Sequence, residues 1–151
     1  MNPLSQYNEP SSAPTNWPDR KRLALSIVVN VEEGAEQSVR DGDPRPEPVD
    51  ELGVVLRKPQ RNLANESNYR YGIQAGAPRI LALLADKNIT ATFTCAALSL
   101  ERAPALAQQI VASGHEVCAH GLRWTHQHRM NESEERAFIK ATIESITTRC
   151  G

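Results

Sequence analysis

The segment Leu23 to Val31 reads LALSIVVNV, a nearly unbroken apolar and β-branched run. A run this short and continuous, without strict alternation, predicts a strand covered on both faces, as in a parallel sheet with helices on either side. It stops abruptly at Glu32, Glu33 and Gly34. In α/β folds the chemistry sits just beyond the carboxyl ends of the strands, so the two acids stand where a catalytic acid or base is expected, and Gly34 lets the backbone turn there. The competing reading is an ordinary solvated loop.

The rest of the chain supplies the partners of that strand. Residues 1–20 form a polar leader with Pro3, Pro10, Pro14 and Pro18 and little to bury, and Trp17 is placed to pin its end. Ala35 to Asn65 carries Pro44, Pro46, Pro48 and Pro59 among many charges, which predicts a long excursion of the kind that shapes a binding site. From Ile73 the spacing of Ile73, Ala77, Ile80, Leu81 and Leu84 predicts a helix, with Pro78 in its first turn. Ile89 to Cys95 alternates as a strand. A second helix is expected over about Pro104 to Ser113, stopped by Gly114, and a short strand from His115 to His120. Asn131 to Glu134 caps a last helix, whose apolar stripe is Ile139, Ile143 and Ile146 flanked by Phe138. The order is strand, long loop, helix, strand, helix, strand, loop, helix. Such alternation implies an α/β fold with a parallel sheet or an open part of a barrel. Glu32, Glu33 and His120 then all lie at carboxyl ends of strands and can converge on one rim.

Composition narrows the partners. The chain has 151 residues, of which 40% are hydrophobic, enough for one modest core, so residues 21–151 are expected to form one domain. A net charge of −1 offers no electrostatic support for nucleic acid or an anionic membrane. No apolar run approaches the roughly 18 residues of a membrane span, and no secretory leader is visible, so a cytoplasmic location is the default. Cys95, Cys118 and Cys150 have neither a paired spacing nor an even count, which predicts reduced core thiols. All four histidines, His115, His120, His126 and His128, fall in one short segment. His115 reads as a strand-start residue with a satisfied ring.

The segments WPDRKRLALSIVVNVEEGAE, NESNYRYGIQAGAPRIL and GHEVCAHGLRW resemble the polysaccharide deacetylase (NodB-homology) superfamily, and most closely its metal-independent allantoinase-like branch. There the corresponding stretches are similar to N-[YF]-E-E-G-x-E, E-S-x-Y-x-Y-G and [SA]-H-G-x-R-W. The resemblance implies a distorted (β/α) barrel of the deacetylase type. It also implies a hydrolase of carbon–nitrogen bonds other than peptide bonds, acting on a small molecule such as a ureide or an N-acetylated sugar. Glu32 and Glu33 match the acids that serve as general base and metal ligand in metal-dependent deacetylases, and His120 matches the first histidine of the paired-histidine metal motif. The second would fall four residues on, where this chain has Trp124. A zinc-like site needs about three protein ligands, so no cofactor is expected. The alternative is a metal-dependent amino-sugar N-deacetylase holding a divalent metal such as zinc through Glu33, His120 and either His126 or His128.

In the metal-free reading Glu32 or Glu33 takes a proton from the attacking water and His120 serves the departing nitrogen or the oxyanion. Arg123 adds charge stabilisation, Trp124 walls the pocket, and Glu66 and Tyr71 help to cover the substrate, with Ser67 and Tyr69 beside them. Capping and packing of the following helix is an equal expectation for that group. Gln74 and Pro78 stand where the branch often has an arginine and an aromatic residue, so its substrate does not carry over. The resembled barrel continues past Gly151, so the chain is expected to be a truncated, N-terminal half whose open edge a homo-oligomer or partner would cover. A non-catalytic remnant that only binds or assembles is the reading from another class.

Overall fold

The computed structural model describes residues 17–48, 56 and 58–151. Most of the leader, residues 1–16, and residues 49–55 and 57 of the long excursion lie outside the described residues. Strands β1 (Val28–Val31), β2 (Thr92–Cys95) and β3 (Glu116–Ala119) form a parallel sheet in the order β1-β2-β3. The register aligns Val29 with Phe93 and Val117, and Asn30 with Thr94 and Cys118. Side chains alternate across a strand, so these rows belong to opposite faces. Val29, Val31, Phe93, Cys95 and Val117 face the core, where they meet Leu81, Leu84, Leu100, Leu106, Ala107 and Ile110.

Only that face is packed among the described residues, which corrects the expectation of a strand covered on both. Val28 is 55% exposed, and Asn30, Glu116 and Cys118 are exposed beside it. The strand is also shorter than the apolar run. Pairing begins at Ile27, whose carbonyl accepts from the Thr92 N–H, while Leu23 and Leu25 are 75% and 77% exposed. Apolar β-branched residues favour strand conformation, but burial needs a second layer, and every helix here lies on the other side.

Helices α1 (Leu63–Tyr71) and α2 (Ala77–Asp86) are joined by a π-helical turn, Gly72–Gly76, into one continuous helical stretch. Pro78 is the second residue of α2 and lies in its first turn, as expected, although that turn continues the helical stretch before it. Its missing N–H is absorbed by the wider turn, in which the Ala77 N–H reaches back to the Gly72 carbonyl. The polar sequence of α1 hid it, although Asn62 caps it by accepting from the Asn65 N–H at 3.2 Å. The short helix α3 (Ala97–Arg102) also went unforeseen. Helix α4 (Pro104–Ala112) and Gly114, with φ +74°, fall as expected.

Helix α5 (Glu132–Cys150) starts with a complete capping box between Asn131 and Glu134. Its expected apolar stripe is corrected: Ile139 and Ile143 are 50% and 57% exposed. The inward face instead carries Phe138, Ala141, buried Thr142, Ser145 and Ile146. Thr142 returns its hydroxyl to the Phe138 carbonyl, and Ser145 donates to Glu101 on α3, so small polar residues let the helices approach closely. The cysteines are all free, but Cys118 is exposed on the open sheet face and is not a core thiol. Burial pushes the Cys95 thiol up to about 12. His115 is satisfied as expected, its Nδ1 accepting from the Ala91 N–H and its ring lying 5.0 Å from that of Phe93.

Candidate active site

Two strand ends build the site. After β1 the chain turns at Gly34, whose φ of +97° suits glycine. The turn is pinned by the Ala35 N–H on the Glu32 carbonyl at 3.0 Å, by Ser99 Oγ on the same carbonyl at 2.9 Å, and by Arg102 donating to the Gly34 carbonyl. After β3 the His120 N–H bonds the Cys95 carbonyl at 2.8 Å. Gly121 then adopts φ +78° beside the Phe138 ring. Glu32 and His120 follow the open face of the sheet in register and meet, with Glu32 Oε1 3.5 Å from His120 Nε2. Both side chains are partly exposed, at 32% and 45%, so solvent reaches the pair.

Glu33 takes the opposite direction. Its carboxylate lies against the helical backbone at Gly72, where an added Cβ would come within 2.7 Å of it. The two acids are thus separated, and only Glu32 is brought to His120. Glu36, the next acid of the same segment, is 7% exposed, and its carboxylate accepts from the Gly34 N–H. Sequence reasoning left Glu36 unassigned although it lies inside the quoted EEGAE segment.

Arg123 is partly buried at the edge of an open cleft, its side chain 28% exposed. Its Nη1 and Nη2 donate to Asp43 Oδ1 and Oδ2 at 3.0 and 2.8 Å, and Nη2 also reaches the Glu36 carbonyl at 3.2 Å. Burial pushes the Asp43 carboxyl up, but the bonds from Arg123 and from the Ser38 N–H outweigh it and hold Asp43 below its ordinary range. Nothing in one sequence marked Asp43 among the many acids of the excursion. Trp124 donates its backbone N–H to the Ala35 carbonyl at 3.2 Å and meets Tyr69 edge-to-face at 5.7 Å. It lines an open cleft of about 560 Å³ with Gln37, Asp43, His126 and Met130.

Glu66 lines a separate cavity of about 240 Å³ with Gly34, Glu36, Arg70, Ile73 and Gln74. Its carboxylate is bound by Arg61 at 2.9 and 2.5 Å, which holds it below its ordinary range. Tyr71 is 55% exposed and accepts from Arg79 at 2.8 Å, away from both cavities. The His126 and His128 rings lie 5.5 Å apart on an exposed turn. Among the described residues no three His, Cys, Asp or Glu side chains gather into a set able to hold a metal ion, so the Glu33, His120 and His126 or His128 arrangement does not fit a zinc-like ion.

The polysaccharide deacetylase family model matches residues 67–151. A curated relative from Schizosaccharomyces pombe, named for the polysaccharide deacetylases, is 33% identical over 135 residues, 86% of this chain and 42% of its own. The crystal structure of PuuE allantoinase superposes with a TM-score of 0.84 at 34% identity, over 100% of this chain and 50% of that one. A Pseudomonas aeruginosa structure, also named for the polysaccharide deacetylases, gives 0.84 at 33% with the same coverage. The chain spans about half the length of the relatives it matches. A parallel sheet with its polar strand ends on one rim, the family match over the second half and these two superpositions agree: the chain belongs to the polysaccharide deacetylase family.

Proposed function

We propose that the chain contributes the acid–base pair of a hydrolase that opens a small amide of the ureide kind without a bound metal. The observation that carries this reading is the approach of Glu32 Oε1 to His120 Nε2 at 3.5 Å, on the rim where β1 and β3 end. Glu32 takes a proton from water as the water oxygen bonds the amide carbonyl carbon. The carbon–nitrogen bond then breaks as protonated His120 gives its proton to the departing nitrogen. Their proximity lets the proton gained by Glu32 return to His120 and restore both. Trp124 supports the metal-free form, because it occupies the position where the resembled metal motif has its second histidine, and its indole walls the neighbouring cleft.

Amide hydrolysis of this kind works best where bulk water is excluded. The reading therefore has the open face of the sheet closed by a further body, either a second copy or the remainder of a longer chain. The test uses the full-length natural protein with allantoin and with an N-acetylated chito-oligosaccharide, each with and without a chelator. Glu32→Gln and His120→Asn are each expected to lower turnover by about 100-fold or more, with an unchanged circular dichroism spectrum and no effect of the chelator. Near-normal turnover in both variants sinks the acid–base pair. Activity lost to the chelator and regained with zinc sinks the metal-free form and favours sugar N-deacetylation.

A further inference from the structure

Glu32 and His120 are both partly exposed, so side-chain packing alone does not fix their separation. The sheet ladder places their backbones, through the Ala96 N–H on the Val31 carbonyl and the His120 N–H on the Cys95 carbonyl, and two loops carry on from there. The loop that leaves β1 runs from Glu32 through Glu36 and Ser38 to Asp43, and the loop that leaves β3 begins at His120 and reaches Arg123 and Trp124. Arg123 joins them by a two-toothed ion pair to Asp43, with side chains 28% and 16% exposed, and by its bond to the Glu36 carbonyl. The Trp124 N–H on the Ala35 carbonyl makes a second tie one residue further on.

The geometry points to Asp43 and Arg123 as positioning residues, a clamp that sets the β3 exit loop, and with it His120, against the loop that carries Glu32. This rests on the acid–base reading above. A planar guanidinium meeting a carboxylate through two parallel bonds fixes orientation as well as distance, which a single point charge does not. Ser38 gives Asp43 a third bond through its N–H at 2.8 Å, so the acid is itself held in place. Arg123 Nε is buried without a partner among the described residues, and one N–H of Nη1 is left over beside the cleft that the residue helps to line. Three of its N–H groups are thus held between the two loops, two on Asp43 and one on the Glu36 carbonyl.

The test compares Asp43→Asn, Arg123→Gln, Arg123→Lys and the Asp43→Asn/Arg123→Gln double variant in the full-length protein, at a temperature where each is folded by circular dichroism. Each single variant is expected to lower kcat by up to about 100-fold with KM nearly unchanged, the scale of a misplacement near 1 Å. The double variant should be no worse than the poorer single one, because one clamp is broken only once. The His120 ring resonance at fixed pH should move alike in Asp43→Asn and Arg123→Gln, a readout that a purely structural role leaves still. Wild-type kcat in Asp43→Asn beside a loss in Arg123→Gln would show that Arg123 acts on the substrate directly. Unchanged kcat and an unmoved ring resonance in both would reduce the clamp to ordinary structure. If Glu32→Gln and His120→Asn are inactive while the clamp variants are normal, this inference falls and the acid–base reading stands. If Glu32→Gln and His120→Asn keep their turnover, the acid–base reading falls instead.

Discussion

Gly72 is the residue whose identity the surroundings explain most directly. It has helical backbone angles, φ −55° and ψ −47°, inside the continuous stretch formed by α1, the π turn and α2. Left-handed freedom is not the reason for glycine there, and glycine costs a helix about 1 kcal/mol relative to alanine. Space is the reason, since a Cβ would lie 2.7 Å from the Glu33 Cδ and Oε1. The far end of a flexible side chain can swing away. Gly72→Ala is therefore expected to leave the urea midpoint near that of the parent, within about 1 kcal/mol in stability, while displacing the Glu33 carboxylate. In the full-length protein turnover should stay near that of the parent, because Glu33 lies apart from the Glu32–His120 pair. A large loss of turnover in Gly72→Ala would show that the docked position of Glu33 carries weight in the reaction.

At the scale of the elements, strand register brings the polar strand ends to one rim, and the loops beyond them are tied to each other. The exit loops of β1 and β3 are joined through Asp43 and Arg123, and Asp43 is held below its ordinary carboxyl range. A carboxyl depressed on folding stabilises the fold above its unfolded value, near 3.8, and that contribution is lost as pH falls through the folded value. Asp41 and Glu66, also depressed, act in the same direction. The difference in urea midpoint between the parent and Asp43→Asn should thus stay constant from about pH 7 to about pH 5 and shrink below about pH 4. A difference that persists undiminished at about pH 3 would mean that ionisation of Asp43 is not what holds the loops together.

Across the whole molecule, the sheet has a packed face and an open one, and β1 and β3 are both edges among the described residues. A separate apolar patch lies on α5, where Ile139 and Ile143 stand beside Arg136, Lys140 and Glu144. If the 151-residue chain stands alone in solution, Ile139→Glu and Ile143→Glu should change stability by less than about 0.5 kcal/mol, whereas Leu100→Ala in the core should cost about 2–5 kcal/mol. A loss above about 2 kcal/mol from either isoleucine, read by urea denaturation, would show that the stripe is covered in solution.

The residues alone determined the alternation of strands and helices, the positions of β2, α4, β3 and the α5 cap, and the placing of Glu32 and His120 at strand ends. These follow from short-range patterns: periodicity, proline and glycine punctuation and capping chemistry. The resemblance of three segments pointed to the family that the comparisons then supported. The polar helix α1 and the short α3 were not legible, because neither carries a strong apolar period. Only the tertiary structure decided that the β1 strand is packed on one face and that Ile139 and Ile143 turn outward, since burial depends on which layers lie opposite. It also divided the two adjacent acids, sending Glu32 to His120 and Glu33 to Gly72. Arg123 found its ion-pair partner in the same way, in Asp43, 80 residues away. A charge in sequence has no direction, and its partner is chosen by the backbone that brings two distant loops together.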